Sequence, residues 1–103
     1  METEHDRIIA ERARADADYI KKYDRAAAAE RAFTAECERQ FGASASDDRY
    51  NTSIYDAFTL AAAARKHEAD DELHGARDAL RKADLILVRS AHRVSAATKD
   101  PSG

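Results

Sequence analysis

Residues 42–53 read GASASDDRYNTS, and this stretch decides the fold because it separates two long runs of helix-forming residues. Gly, Ser, Asp and Asn compete with helix through backbone freedom or through hydrogen bonds from their side chains to the backbone. We therefore predict a turn over residues 42–47. A short connection makes consecutive helices antiparallel neighbours, so the predicted fold class is an all-α antiparallel hairpin of two long helices.

The chain before the turn contains neither Gly nor Pro from Thr3 to Phe41, and most of its residues are strong helix formers. This predicts one helix over about residues 3–41. Thr3 and Asp6 have the spacing of a capping box at its start, and Gly42 can form a left-handed cap at its end. At about 100° per residue, its apolar residues share one arc, which we expect to be buried. The arc contains Ile8, Ile9, Tyr19, Ile20, Tyr23, Phe33, Cys37 and Phe41.

The second helix has two candidate starts. Ser46 would place two aspartates in the favourable first turn, whereas Ser53 would form a capping box with Asp56. We expect the earlier start, giving a helix over about residues 48–97 and a disordered tail over 98–103. The residues expected on its buried face are Tyr55, Phe58, Ala62, Ala69, Leu73, Ala76, Leu80, Ala83, Leu87, Ala91 and Val94.

Gly75 is the one place where this second segment could divide, and a break there would give a three-helix bundle. The apolar pattern keeps its phase across Gly75, and no polar loop accompanies it. A glycine inside a helix costs about 1 kcal/mol relative to Ala, which a long packed helix can absorb. We therefore expect one helix, bent or kinked at most, within a single helical domain over residues 1–97; the three-helix bundle is the alternative.

Residues 83–90 read ADLILVRS, and their four consecutive apolar residues must point all the way round a helix. If the two helices rise equally from the turn, Ile8 and Ile9 lie opposite about residue 83, so this run projects beyond the first helix. Leaving it in water would forgo several kcal/mol, which is comparable with the stability of a small domain. We expect another protein surface to cover it.

A second copy of the chain is the simplest cover, because two hairpins make a four-helix bundle and most soluble oligomers are symmetric dimers. Charge along the second helix supports an intermolecular contact. Residues 47–72 contain seven acids and three Lys or Arg, whereas residues 77–99 contain six Lys or Arg and two acids. The alternatives are a different protein partner, or a fold-back at Gly75 that buries the run within the monomer.

Some charged residues fall within the expected buried arcs, where an unpaired ion is costly. Arg12 and Asp16 are four residues apart and can pair along one helix. Glu30 and Arg65 lie at levels where they can meet across the hairpin. We interpret both pairs as fixing the register of the helices; the alternative is that they form a recognition site in a groove.

Composition excludes several functional classes. The formal net charge is −3, whereas nucleic-acid binding needs a basic surface, so we expect no nucleic-acid partner. No segment approaches membrane-spanning length, and the N-terminus lacks the apolar stretch of a secretory signal. We expect no membrane partner and a cytoplasmic location. A single cysteine, Cys37, excludes an internal disulfide framework, and its neighbours assign it to the core.

Enzymatic chemistry has little support in the sequence. No Ser or Cys lies on a glycine-flanked turn, and an Ala-rich hairpin offers no evident concave pocket. We therefore expect no enzyme, no cofactor and no small-molecule substrate. The alternative is a small metal-binding or catalytic helical protein, in which imidazole and carboxylate groups on one strip of the second helix bind a divalent ion. That strip comprises His67, Asp71, His74 and Asp78.

The function that these observations predict is a protein–protein interaction module. It would act through helix–helix contacts as an adaptor, a regulator or an inhibitor of another protein, such as a bacterial or phage inhibitor, and as a homodimer. The residues expected to make the contacts are Leu60, Leu85, Ile86, Val88, Arg89 and Arg93.

Overall fold

The computed structural model of the protein describes residues 2–42 and 51–99, and these residues form two long helices and one short one. Helix α1 spans Glu4–Phe41, the 3₁₀ helix spans Thr52–Ile54, and helix α2 spans Ala57–Lys99. The all-α helical hairpin that the sequence predicts is confirmed.

The chain divides into two compact units. The terminal unit comprises Met1–Ile20 and Gly75–Gly103, and the turn unit comprises Lys21–His74. In each unit, a part of α1 packs against a part of α2. A single domain over residues 1–97 stays a prediction.

Both predicted ends of α1 are confirmed. The backbone N–H of Asp6 donates to Thr3 Oγ1 at 3.1 Å, and the backbone N–H of Thr3 donates to Asp6 Oδ2 at 3.2 Å, which is the reciprocal pattern of a capping box. These hydrogen bonds, first the one from the Thr3 backbone, lower the pKa of Asp6. At the other end, Gly42 has a φ of 85° and its N–H donates to the Glu38 carbonyl at 2.8 Å. This left-handed cap stops the helix.

The expected start of α2 near residue 48 is wrong, because the helix begins at Ala57. The residues before it form a short 3₁₀ helix whose N-cap is Asn51. Asp56 is the N-cap of α2, since its Oδ1 accepts the backbone N–H of Thr59 at 2.9 Å. The parts of the expected turn and helix at residues 43–50 lie outside the described residues.

Helix α2 continues through Gly75 and ends at Lys99, two residues beyond the expected end near residue 97. The three-helix alternative is therefore wrong, as is a fold-back at Gly75. The last four residues of the expected tail, 100–103, lie outside the described residues.

After Thr59, the buried residues of α2 recur every seven positions, which is the spacing of an antiparallel coiled coil. Small side chains occupy this stripe, and all but the half-buried Ala83 are fully buried. Its small side chains face the larger buried residues of α1, among them Ile8 and Phe33. We call this stripe the seam: Ala62, Ala69, Ala76, Ala83 and Ser90.

The buried face of each helix is narrower than the sequence predicts. Ile8, Phe33 and Cys37 are buried on α1, but three other residues of its expected arc are exposed: Ile9, Ile20 and Tyr23. Each of these three directly follows a buried or half-buried residue of α1 and so points about 100° away from the side that faces α2. On α2, the expected core residues Phe58, Ala91 and Val94 are exposed, whereas Leu73, Leu80 and Leu87 are half-buried beside the seam.

The helices are also shifted by about one turn relative to the expected register. His5 bonds to Ser90 and Arg12 bonds to Asp84, whereas equal rise from a turn over 42–47 would place both partners earlier in the chain. The cause is the late start of α2, which lengthens the connection. ADLILVRS therefore lies alongside α1, and the expectation that the run projects beyond α1 is wrong.

We predict that replacing Gly75 and Gly42 by alanine changes the free energy of unfolding in opposite directions. A Cβ at Gly75 would meet nothing within 4 Å, so we expect Gly75→Ala to raise the free energy of unfolding by about 1 kcal/mol. Gly42 has a positive φ, so we expect Gly42→Ala to lower it by about 1 kcal/mol despite open space around the site. Urea unfolding monitored by circular dichroism measures both. Equal effects at the two positions would contradict the assignment of Gly42 as a cap.

Because the seam residues are buried, we predict that the seam does not tolerate larger side chains. Ala69 is 6% exposed, so we expect Ala69→Leu to lower the free energy of unfolding by about 1–3 kcal/mol through overpacking. Ala64→Leu is the matched control, because Ala64 is exposed on the same helix. A similar free energy of unfolding for the two variants would argue against a closely packed seam.

Candidate functional site

The ADLILVRS run directs its apolar side chains to different sides of α2. Leu87 is half-buried towards α1, whereas Leu85, Ile86 and Val88 are 51%, 46% and 54% exposed. Ile86 and Val88 are two residues apart and point about 160° away from each other. They therefore lie on opposite flanks of the helix pair in the terminal unit, with Leu85 on the outer side of α2.

Val88 shares its flank with Ile9. An ion pair between Arg12 Nε and Asp84 Oδ1, 2.7 Å apart, joins the two helices there. Val88 lies one turn after Asp84, and Ile9 lies one turn before Arg12. Because the helices are antiparallel, these two displacements run in the same direction, so the two exposed apolar residues lie at similar levels of this flank.

Ile86 lies on the other flank, where it lines a shallow groove between the helices. Ile8 and the small residues of both helices form the floor of this groove. Glu11 stands on the α1 side and Lys82 on the α2 side. These small residues, which contribute only a methyl group each, are Ala15, Ala79 and Ala83.

The two arginines predicted at the site, Arg89 and Arg93, are exposed on α2. Arg89 follows Lys82 by seven residues and so lies on the same side of the helix as the Ile86 groove. Arg93 lines a second shallow depression together with Glu4 and Val94.

Leu60 belongs to the turn unit, where it is 52% exposed. Tyr23 is a further exposed residue of that unit, and it lines a groove with Leu73. Of the six predicted contact residues, the structure brings Ile86, Arg89 and Arg93 to one side of α2. It places Val88 on the other flank.

The predicted pair between Arg12 and Asp16 is confirmed at 3.8 Å, although the shorter bond of Arg12 goes to Asp84. The hydrogen bond to Asp84 is the main cause that raises the pKa of Arg12. The Arg12 guanidinium therefore makes one ion pair within α1 and another with α2.

The predicted pair between Glu30 and Arg65 is wrong. Glu30 lines a groove beside Asp70, whereas Arg65 lines a different groove beside Arg25 and Glu72. Their levels along the hairpin match, but their side chains leave the helix pair on different sides. In the turn unit, Glu72 accepts the cross-helix contacts instead, from Arg25 at 3.2 Å and from Lys22 at 3.7 Å.

Two buried polar residues were not predicted from the sequence. Ser90 occupies a seam position, 3% exposed, and its hydroxyl lies 2.6 Å from His5 Nδ1. Thr59 is fully buried, and its hydroxyl donates to the Glu36 carbonyl at 3.4 Å. The seven-residue spacing of Ser90 from Ala83 was the signal that could have identified it. Both bonds join α1 to α2.

Asp56 is the centre of a polar cluster at the start of α2. Arg39 holds it through two hydrogen bonds of 2.9 and 2.6 Å, while Gln40 Oε1 accepts the Asp56 backbone N–H at 2.9 Å. The hydrogen bond from the Thr59 backbone, followed by that from Arg39, lowers the pKa of Asp56 to about 2. Arg39 also lies 5.6 Å from the ring centroid of Phe58, which is 71% exposed.

The strip of His67, Asp71, His74 and Asp78 is exposed on α2. Within residues 2–42 and 51–99, no three His, Cys, Asp or Glu side chains come together in a way that could hold a metal ion. Nothing in the geometry of the strip therefore favours a metal centre.

Comparisons with known proteins identify no relative: no family model, no curated protein and no solved structure matches the chain. Over the described ranges, neither long helix contains a stretch apolar enough to cross a membrane.

The lowered pKa of Asp56 predicts an acid-dependent loss of stability. Its folded-state pKa lies below the ordinary value of 3.8, so the ionised carboxylate stabilises the fold above that pH. This contribution is lost as the pH falls from about 4 to about 2. We expect Asp56→Asn to lower the thermal midpoint at neutral pH, and the difference from wild type to shrink over that interval. Asp71→Asn, at an exposed position of the same helix, is the matched control; a constant difference for Asp56→Asn would contradict the prediction.

Proposed function

We propose that the protein is a non-enzymatic interaction module that binds another polypeptide chain through helix–helix contacts made by α2. The observation that carries this proposal is the exposure of three neighbouring apolar residues, Leu85, Ile86 and Val88, on a fully formed helix. A helix embedded in a monomeric fold normally turns one apolar stripe inwards and polar residues outwards. Here, apolar residues leave α2 on both flanks and on the outer side.

The energetic case rests on the size of these side chains. Full burial of a Val, Leu or Ile side chain contributes about 1.5–3 kcal/mol. Covering the exposed halves of all three would therefore contribute about 3 kcal/mol, before any contribution from Ile9 beside Val88. Val88 and Ile9 lie on the same flank, and exposed apolar residues that lie together are typical of interaction surfaces, whereas isolated ones are normal on any protein.

The surrounding charges support a protein partner. Arg89 and Arg93 are exposed next to the apolar residues of the same helix segment. Charged groups around an apolar centre give specificity and faster association, and arginine is common in interfaces. In this proposal the module acts in the cytoplasm as an adaptor, a regulator or an inhibitor of its partner. The exposed Leu60 of the turn unit is a second contact point.

The test replaces two of the exposed residues by acids. Leu85→Asp with Val88→Asp leaves the seam untouched, so the variant should keep the helical circular dichroism signal and its thermal midpoint within a few degrees. We expect it to lose a protein partner that the tagged wild-type chain retains on affinity capture from its native host.

The matched control is Ala32→Asp with Ala35→Asp, which places the same two charges at the same spacing on exposed positions of α1 in the turn unit. This control should retain the partners. The proposal fails if the wild-type chain retains no polypeptide that the Leu85 and Val88 variant loses.

A further inference from the structure

We propose that the Ile86 groove is a homodimer interface, in which a second copy of the chain lies over the groove with its own Ile86 groove facing inwards. This inference rests on the proposed function and names the partner. The evidence is the arrangement of charge on the two sides of the groove in the terminal unit.

The α1 side of the groove is acidic. Glu11 lines the groove, and Glu4 precedes it by seven residues, so both lie on the same side of α1. The α2 side is basic, because Lys82 lines the groove and Arg89 follows it by seven residues. All four side chains are exposed, and none of them forms an ion pair with another described residue.

These charges stand at matching levels. Glu11 and Lys82 line the same groove. Because α1 and α2 are antiparallel, one heptad before Glu11 and one heptad after Lys82 lead in the same direction, so Glu4 and Arg89 also share a level. The groove thus has an acid on one side and a base on the other, and Glu4 and Arg89 repeat this order beyond its end.

A twofold axis along the groove makes this arrangement self-complementary. The rotation places the second copy face to face with the first, with its α1 over this α2 and its α2 over this α1. Glu11 then faces Lys82 of the second copy, and Glu4 faces Arg89 of the second copy, while the symmetric pairs form on the other side. Each chain satisfies the charges that the other leaves unpaired.

The same rotation covers the apolar groove. Ile86 of each copy comes to the centre of the contact, above Ile8 and the small residues of the floor. A central apolar contact with a charged rim is the usual anatomy of a protein interface. A heterologous partner would need no such match between the two sides of one chain, which is why we assign the groove to a second copy.

The experiment uses two charge reversals that are each unfavourable alone. In the Glu11→Lys homodimer, the introduced ammonium group would face Lys82, and in the Lys82→Glu homodimer, the introduced carboxylate would face Glu11. Each reversal acts twice per dimer, so we expect each variant alone to dimerise roughly tenfold to a hundredfold more weakly than wild type in sedimentation velocity.

Mixing the two variants provides the decisive observation. In the mixed dimer both pairs are again of opposite charge, so equimolar Glu11→Lys and Lys82→Glu should dimerise close to the wild-type level. Pairing between Glu11 and Lys82 within one chain could not give this result, because neither chain in the mixture carries an opposite pair. Ile86→Asp should abolish dimerisation in every combination. Arg31→Glu, a charge reversal at an exposed position of α1 in the turn unit, is the control that should not change it.

The outcomes separate this inference from the proposed function. A wild-type chain that sediments as a monomer at concentrations of tens of micromolar overturns the homodimer, as does a dimer that the Ile86 and charge variants leave unchanged. If that chain still binds a different protein, and loses it on Leu85→Asp with Val88→Asp, the proposed function stands without the dimer. If neither self-association nor another partner is found, both proposals fall.

Discussion

The close contact between the two helices at the seam is the constraint on which the rest of the structure depends. Its residues on α2 are small and face larger buried residues of α1 such as Ile8 and Phe33, and the buried strip on each helix is narrow. Larger apolar residues such as Leu80 and Leu87 cannot enter that strip and lie half-buried beside it. The narrow buried strip therefore both stabilises the helix pair and leaves apolar surface exposed on its flanks.

This constraint explains why ADLILVRS remains exposed although α1 lies alongside it. A single neighbouring helix covers about one side of α2, and Leu87 takes that side. Leu85, Ile86 and Val88 point to the other sides, and no change in register could cover all three. A longer α1 would not cover these residues either, because they are exposed through the directions in which their side chains leave α2 and not through their position along the hairpin. Only a further layer of protein can cover these residues, which is the basis of the proposed function.

The sequence predicted those features that depend on local chemistry. The Thr3 capping box, the Gly42 cap and an unbroken helix through Gly75 all follow from neighbouring residues, and all are present. Features that depend on tertiary packing were less predictable. The start of α2 at Ala57 depends on Arg39 and Gln40, which contact Asp56 from the other helix. The width of the buried arc on one helix also depends on the side chains of the helix that packs against it. A helical wheel of the first helix alone does not contain this information.

Register links the fold to the proposed interface. The part-buried hydrogen bond between His5 and Ser90 and the ion pair between Arg12 and Asp84 hold the terminal unit in one alignment. That alignment sets Glu11 level with Lys82, since both are fixed on helices that cannot slip without breaking these bonds. A slip of one heptad would cost both cross-helix bonds and would also move the acidic and basic sides of the groove out of step. The polar residues in the contact between the helices thus fix more than the monomer, because charges outside it can act as a specific pattern only when the helices keep a single alignment.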